Sequence, residues 1–185
     1  RFMINDFALY GILNVTPDSF SDGGNYIETK AALSHAQQMI NAGVNIIDIG
    51  AESTRPGAQN LSVESEWQRL ADVLALLTPI ATVSLDTRKA EIARHGINAG
   101  VKIINDVSGG RYDPDMFKLV ADTKVKYILM HSRGEPSDMM QLTQYQNIIL
   151  DIAQELMQQY NLAISFGVKS WQIFFDPGFG FAKTV

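Results

Sequence analysis

The chain has 185 residues, 46% of them hydrophobic and 19% charged, with a formal net charge of -5 and no cysteine. That suits one domain with one sizeable core. It excludes a disulfide framework, thiolate chemistry and a Cys-type zinc site, and it argues against non-specific binding to nucleic acid or an anionic membrane, since both require a basic face. An anionic small substrate stays open, because a local site can be positive on an acidic protein. A reducing cytoplasm is the natural compartment. The first ten residues, interrupted by Asn5 and Asp6, lack the apolar segment of a signal peptide, and no apolar run approaches membrane-spanning length.

In chain order, short β-rich runs alternate with longer amphipathic ones. Ala8–Val15 reads as a strand, followed by a helix with Leu33, Ala36 and Ile40 on one face. Asn45–Gly50 is the next strand; the helix after it carries Trp67, Leu70, Leu74 and Leu77 and stops before Pro79. Strands follow at Thr82–Asp86, Lys102–Val107, Lys126–His131 and Trp171–Asp176. Short helices are expected over Lys89–Ala99 and Pro114–Asp122, and a third long helix carries the stripe Ile149, Ile152, Leu156 and Tyr160. Most of the strands are near-continuous apolar runs, as in a parallel sheet buried on both faces. Asn41-Ala42-Gly43-Val44 recurs as Asn98-Ala99-Gly100-Val101, each a helix end, a Gly and a new strand. Shared αβ-junction chemistry accounts for this echo better than duplication does.

Alternating strands and helices leave an open doubly wound sheet or a closed barrel. No Gly-x-Gly-x-x-Gly follows the first strand, so the dinucleotide fingerprint is absent. Nearly every strand ends in a polar group: Asn14, Asp48 with Glu52 just after, Asp86, Asn105 with Asp106, His131 and Asp176. In a TIM-type (β/α)8 barrel all strand ends meet at one mouth, where the active site lies. The expected fold is therefore this α/β barrel in a single domain spanning the chain. About six βα units are present where the closed barrel has eight over roughly 250 residues, so the C-terminal strands are expected to be missing.

Several segments can carry chemistry. The loop Asn14-Val15-Thr16-Pro17-Asp18-Ser19-Phe20-Ser21-Asp22-Gly23-Gly24 is rich in small polar residues and can close on a ligand, or can be an ordinary turn. The Asn14 amide oxygen can meet Mg2+, or its nitrogen a phosphate. In Glu52-Ser53-Thr54-Arg55-Pro56-Gly57 the Arg55 fork suits phosphate or carboxylate, or else pairs with Glu52 to tie the loop. Asp86, Asn105 and Asp176 end apolar strands, where a carboxylate needs donors or cations. Such a set suits a 2-amino-pyrimidinone edge, whose amino group and ring N–H give one carboxylate two parallel hydrogen bonds. Lys183 follows Asp176-Pro177-Gly178-Phe179-Gly180-Phe181-Ala182, where Phe179 or Phe181 can stack on a flat ring or pack in the core. His131 reads as a structural hydrogen-bonder, and the histidines lack metal-ligand spacing. There is no Gly-x-Ser-x-Gly elbow.

From Gly11 to Lys183, the first loop, Glu52-Ser53-Thr54-Arg55-Pro56-Gly57, Ser84-Leu85-Asp86-Thr87, Ile104-Asn105-Asp106, Met130-His131 and Asp176-Pro177-Gly178-Phe179-Gly180-Phe181 together resemble the dihydropteroate synthase family. The resemblance implies the eight-fold barrel. It implies condensation of 6-hydroxymethyl-7,8-dihydropterin pyrophosphate with p-aminobenzoate, giving 7,8-dihydropteroate and pyrophosphate, with Mg2+ as cofactor. Carried over by position, Asp86, Asn105 and Asp176 hold the pterin edge; Val107, Met130 and Phe181 wall the ring pocket, with Lys183 nearby. Asn14 meets Mg2+ and the pyrophosphate, and Arg55 meets the same anion. Thr54, Pro56 and the first loop with Ser19, Phe20 and Ser21 shape the p-aminobenzoate pocket. Asp86, Asp176 and Arg55 are the residues implied in catalysis. A cytoplasmic homodimer inhibited by sulfonamides is also implied.

The departures are Ala51 where Gly is expected, Ser132 and Arg133 after His131, and the absence from these residues of the family's later Ser-Arg-Lys and Arg-x-His strand ends. Without those two segments the 185 residues are expected to bind pterin poorly and turn over little. Competing readings are a methyltetrahydrofolate-binding methyltransferase domain, a non-catalytic relative serving a partner subunit, and an unrelated phosphate-binding barrel.

Overall fold

The structure is a computed structural model; it describes residues 7–16, 25–53, 60–135 and 137–184, with backbone only for 25–28. Six parallel strands lie in the order β1-β2-β3-β4-β5-β6: β1 Tyr10–Asn14, β2 Ile46–Gly50, β3 Thr82–Asp86, β4 Ile103–Asp106, β5 Lys126–Met130 and β6 Ile173–Asp176. Between them run α1 Asn25–Asn41, α2 Val63–Leu77, α3 Ala90–Asn98, α4 Met116–Asp122 and α5 Ile148–Ser165. Each strand pairs with the next in sequence, which is barrel topology. Among the described residues β1 and β6 do not pair with each other.

The elements follow local chemistry. Ser62 caps α2 by accepting from the Ser65 N–H at 3.2 Å, and Asn147 caps α5 by accepting from the Leu150 N–H at 3.2 Å. The echoed αβ junctions share one device. Gly43 (φ +95°) and Gly100 (φ +103°) take the left-handed conformation, and the next residue donates back to the last turn: Val44 to the Met39 carbonyl at 3.1 Å, Val101 to the Gly96 carbonyl at 3.0 Å. Gly167 (φ +97°) repeats it after α5, with Val168 donating to Ala163 at 3.2 Å. Its use at a third junction, with a different sequence, favours shared loop chemistry over duplication.

The core lies between sheet and helices. Leu13, Ile47, Ile49, Val83, Leu85 and Ile104 point outward against Ala36, Leu70, Leu74, Leu77, Ile92 and Ala93 of α1 to α3. Burying each such Leu or Ile contributes about 1.5–3 kcal/mol. Two expectations are corrected. The strands are not evenly buried on both faces: β1 alternates exposed and buried, with Ile12 65% exposed beside fully buried Leu13. Its inward side chains enter the barrel interior, which these six strands do not close. In α5 Ile152, Leu156 and Tyr160 of the expected stripe pack on the core, and Ala163 extends that line, while Ile149 is exposed.

Candidate functional site

Strand register sorts the inward side chains into tiers. Asn14, Gly50, Asp86, Asn105 and Ile128 are successive ladder partners across β1 to β5. One tier deeper come Ile12, Asp48, Ser84 and Ile103. One tier nearer the open end, Met130 pairs with Asp176. Asn14, Asp86, Asn105, Met130 and Asp176 thus lie at the same end of the sheet. Gly50 lets Asp86 lie over β2, since a Cβ there would stand 3.2 Å from the Asp86 Cβ. Asp106, adjacent to Asn105, faces outward and is structural: it accepts from the Ser108 N–H (2.8 Å), the Gly110 N–H (3.0 Å) and the Tyr127 hydroxyl (2.7 Å).

Burial pushes the Asp86 carboxyl well above the usual range, and the nearby carboxylates of Asp48, Asp106, Glu66 and Glu52 push it further. Asp48 is raised too, by burial, against lowering contacts from Ser84 and Asn105. The Asn105 amide nitrogen donates to Asp48 Oδ2 at 3.0 Å. Asn105 Oδ1 is buried without a hydrogen-bond partner among the described residues. A ligand bringing an N–H edge would supply the donor that the Asn105 oxygen lacks.

The β6 loop closes beside it. Asp176 Oδ1 accepts the Gly178 N–H at 2.7 Å. Lys183 is buried, its ammonium donating to the carbonyls of Phe181 (2.8 Å) and Gly178 (3.0 Å) and to His131 Nδ1 (2.9 Å). Burial lowers its pKa to about 8. The bond from lysine makes Nδ1 the acceptor, so Nε2 carries the hydrogen towards Glu155 Oε2 at 3.0 Å. Burial, then the charge of Lys183, lowers the His131 pKa, consistent with a neutral ring. Val107 and Phe181 line one cleft with Arg88, Ser108, Ser132 and Glu135, whereas Phe179 is 87% exposed. Gly178 (φ +66°) faces the His131 carbonyl, which a Cβ would overlap. Gly178→Ala is expected to cost about 1–3 kcal/mol, measured by urea unfolding; unchanged stability would mean the loop tolerates a side chain there.

A buried ion network ties the chain just after β2 to α2 and to the chain just after β3. Lys89 bridges Glu52 and Glu66, the latter at 2.5 Å, and Arg88 bonds Glu52 at 3.0 Å, Asn60 at 2.6 Å and Glu135. Glu66 also accepts from the Thr87 hydroxyl at 2.8 Å, and Glu52 from the Leu61 N–H at 2.9 Å. Glu52 therefore joins the chain on both sides of residues 54–59 to the start of α3. Sequence reasoning missed Lys89, Arg88 and Glu66. The available signal was a glutamate on the apolar side of α2, one residue before Trp67. Thr54, Arg55 and Pro56, with Ser19, Phe20 and Ser21, lie outside the described residues.

Residues 10–185 match the family described as pterin binding enzyme. The dihydropteroate synthase of Synechocystis is 43% identical over 176 residues, covering 94% of this chain and 61% of that protein. The structure of Xanthomonas albilineans dihydropteroate synthase with 4-aminobenzoic acid superposes with a TM-score of 0.87 at 37% identity, covering 96% of this chain and 63% of that one. The Anaplasma phagocytophilum enzyme, with bound 6-hydroxymethylpterin-monophosphate, gives 0.86 at 38% identity, covering 96% and 69%. The chain thus spans about three fifths of the Synechocystis relative's length. The family match, the barrel topology and the shared motifs agree: the chain belongs to the pterin binding enzyme family and, within it, to the dihydropteroate synthases.

Proposed function

We propose that the protein is a dihydropteroate synthase, condensing 6-hydroxymethyl-7,8-dihydropterin pyrophosphate with p-aminobenzoate. The observation that carries the reading is the ladder pairing of Asp86 with Asn105 beside the Met130–Asp176 pair at one open end of the sheet. Asp86 and Asp176 accept from the amino and ring N–H groups of the pterin, with Asn105 between them. Val107, Met130 and Phe181 flank the ring, while Lys183 holds the Phe181 turn through its carbonyl bonds.

The reaction breaks the bond between the pterin methylene and the pyrophosphate oxygen and forms one to the aniline nitrogen, which then loses a proton to solvent. Positive charge grows on the pterin as the anion departs, and anionic Asp86 and Asp176 against the ring favour it. The aromatic amine is nucleophile enough without a strong base. Thr54, Pro56, Ser19, Phe20 and Ser21 are assigned to the p-aminobenzoate side and Arg55 to the anion, on the resemblance.

Mg2+ is part of this reading. Asn14 is exposed at the end of β1, and no group of three His, Cys, Asp or Glu residues is gathered for a metal among the described residues. That donor set fits an ion arriving with the diphosphate rather than one held in a protein cage. When bound, the ion supplies positive charge to the departing anion. A cytoplasmic homodimer completes the proposal, on the resemblance alone; light scattering tests the assembly.

The test is a coupled pyrophosphate-release assay on the natural protein. Release is expected to require both substrates, to fall when Mg2+ is chelated, and to be inhibited by a sulfonamide competitively with p-aminobenzoate. No release with both substrates and Mg2+ present would overturn the reading.

A further inference from the structure

The Asn105 amide has two orientations that differ only by exchange of oxygen and nitrogen, and its surroundings select one. Asp48, a tier deeper and two strands away, presents Oδ2 at 3.0 Å from Nδ2. A carboxylate accepts hydrogen bonds and donates none, so turning the amide round would set carbonyl oxygen against carboxylate oxygen. The neighbouring side chain in the deeper tier, Ser84, is itself buried, and its hydroxyl acts on Asp48, lowering that carboxyl's pKa. The amide oxygen is buried too and has no hydrogen-bond partner among the described residues. The acceptor is therefore held ready, and the donor must come from elsewhere.

We infer that Asp48 is a positioning residue: its carboxylate fixes the Asn105 amide so that the oxygen, not the nitrogen, is the atom left for a bound heterocycle. Asp48 touches no ligand; it acts through Asn105. This rests on the pterin-binding reading above and deepens it, since it makes the Asn105 position selective for a ring edge carrying N–H over one carrying a lone pair. It also gives a carboxylate in the barrel interior a role that packing alone does not supply.

The experiment has two arms. In the first, the side-chain amide of Asn105 is followed by nitrogen-15 NMR in the ligand-free protein. Asp48→Asn and Asp48→Ala are both expected to shift the Asn105 NH2 signals; unshifted signals in a folded variant overturn the inference. In the second, binding of 6-hydroxymethylpterin is measured by calorimetry for the wild type, Asp48→Asn, Asn105→Ala and the double variant. Asp48→Asn is expected to weaken binding about ten-fold, and that loss is expected to vanish when Asn105 is already Ala. An equal loss in both backgrounds would mean that Asp48 acts through general structure, and the inference would fail. If the wild type does not bind 6-hydroxymethylpterin, the pterin reading fails, and the first arm still decides whether Asp48 sets the amide. Should Asp48→Asn not fold, Asp48→Ala carries both arms.

Discussion

Asp86→Asn in the natural protein is expected to lower kcat about 10²–10³-fold, the cost of losing one preorganised electrostatic contact to developing charge. Its effect on folding should stay within about 1 kcal/mol, because the amide keeps the carboxylate's shape and burial already disfavours the charge at this site. The pH dependence separates this from a packing effect. In the free protein burial, then neighbouring carboxylates, raise the Asp86 pKa well above its ordinary value. A ring that donates two N–H groups prefers the anion, so binding lowers that pKa and releases a proton. Affinity for 6-hydroxymethylpterin should therefore rise with pH up to the pKa of free Asp86 and level off above it. In Asp86→Asn that rise should disappear. Wild-type-like kcat in the variant, or an unchanged pH profile, would remove Asp86 from this role.

Lys89→Met is expected to be the most destabilising single change in the ion network, costing about 3–5 kcal/mol by urea unfolding, because it leaves a buried acid without its cation. The side chain of Glu66 is 1% exposed and that of Glu52 is 9% exposed, and both bond the Lys89 ammonium. Adding Glu66→Gln to Lys89→Met should restore part of the loss, since the stranded charge is then gone. Burial works to raise the Glu52 pKa, but the Lys89 hydrogen bond, the Leu61 N–H and the charges of Lys89 and Arg88 outweigh it and the pKa is lowered. A carboxylate with a depressed folded pKa stabilises above its unfolded value and loses that contribution as pH falls through the folded one. The wild type should therefore lose stability below about pH 4.5, the ordinary glutamate value, and Lys89→Met should lose less over the same range. Because Glu52 also holds the chain at Leu61, across residues 54–59, the variant should raise the KM for p-aminobenzoate as well. A loss under about 1 kcal/mol would mean that the two acids find other donors.

Much of the fold was legible along the chain. Strand, helix and junction depend on neighbours within a few residues: β3 was read to its observed ends at Thr82 and Asp86, and the glycines at 43 and 100 marked the helix ends by a backbone conformation other residues adopt at a cost. Polar strand ends could be recognised for the same reason, since alternation within a strand is local. The facing of those groups could not. Asp106 and Asn105 are adjacent, yet one turns outward to hold Ser108, Gly110 and Tyr127 while the other turns into the barrel. The order of amino acids settles period and junction, and its family motifs point to the two carboxylates and one amide at 86, 176 and 105. Only the packed sheet decides which carboxylates share one low-dielectric space, that Asp48 reaches Asn105 from two strands away, and that Lys89 bonds Glu52. Charges interact across space, over distances set by strand register and helix packing, and sequence separations of 57 and 37 residues carry no sign of it.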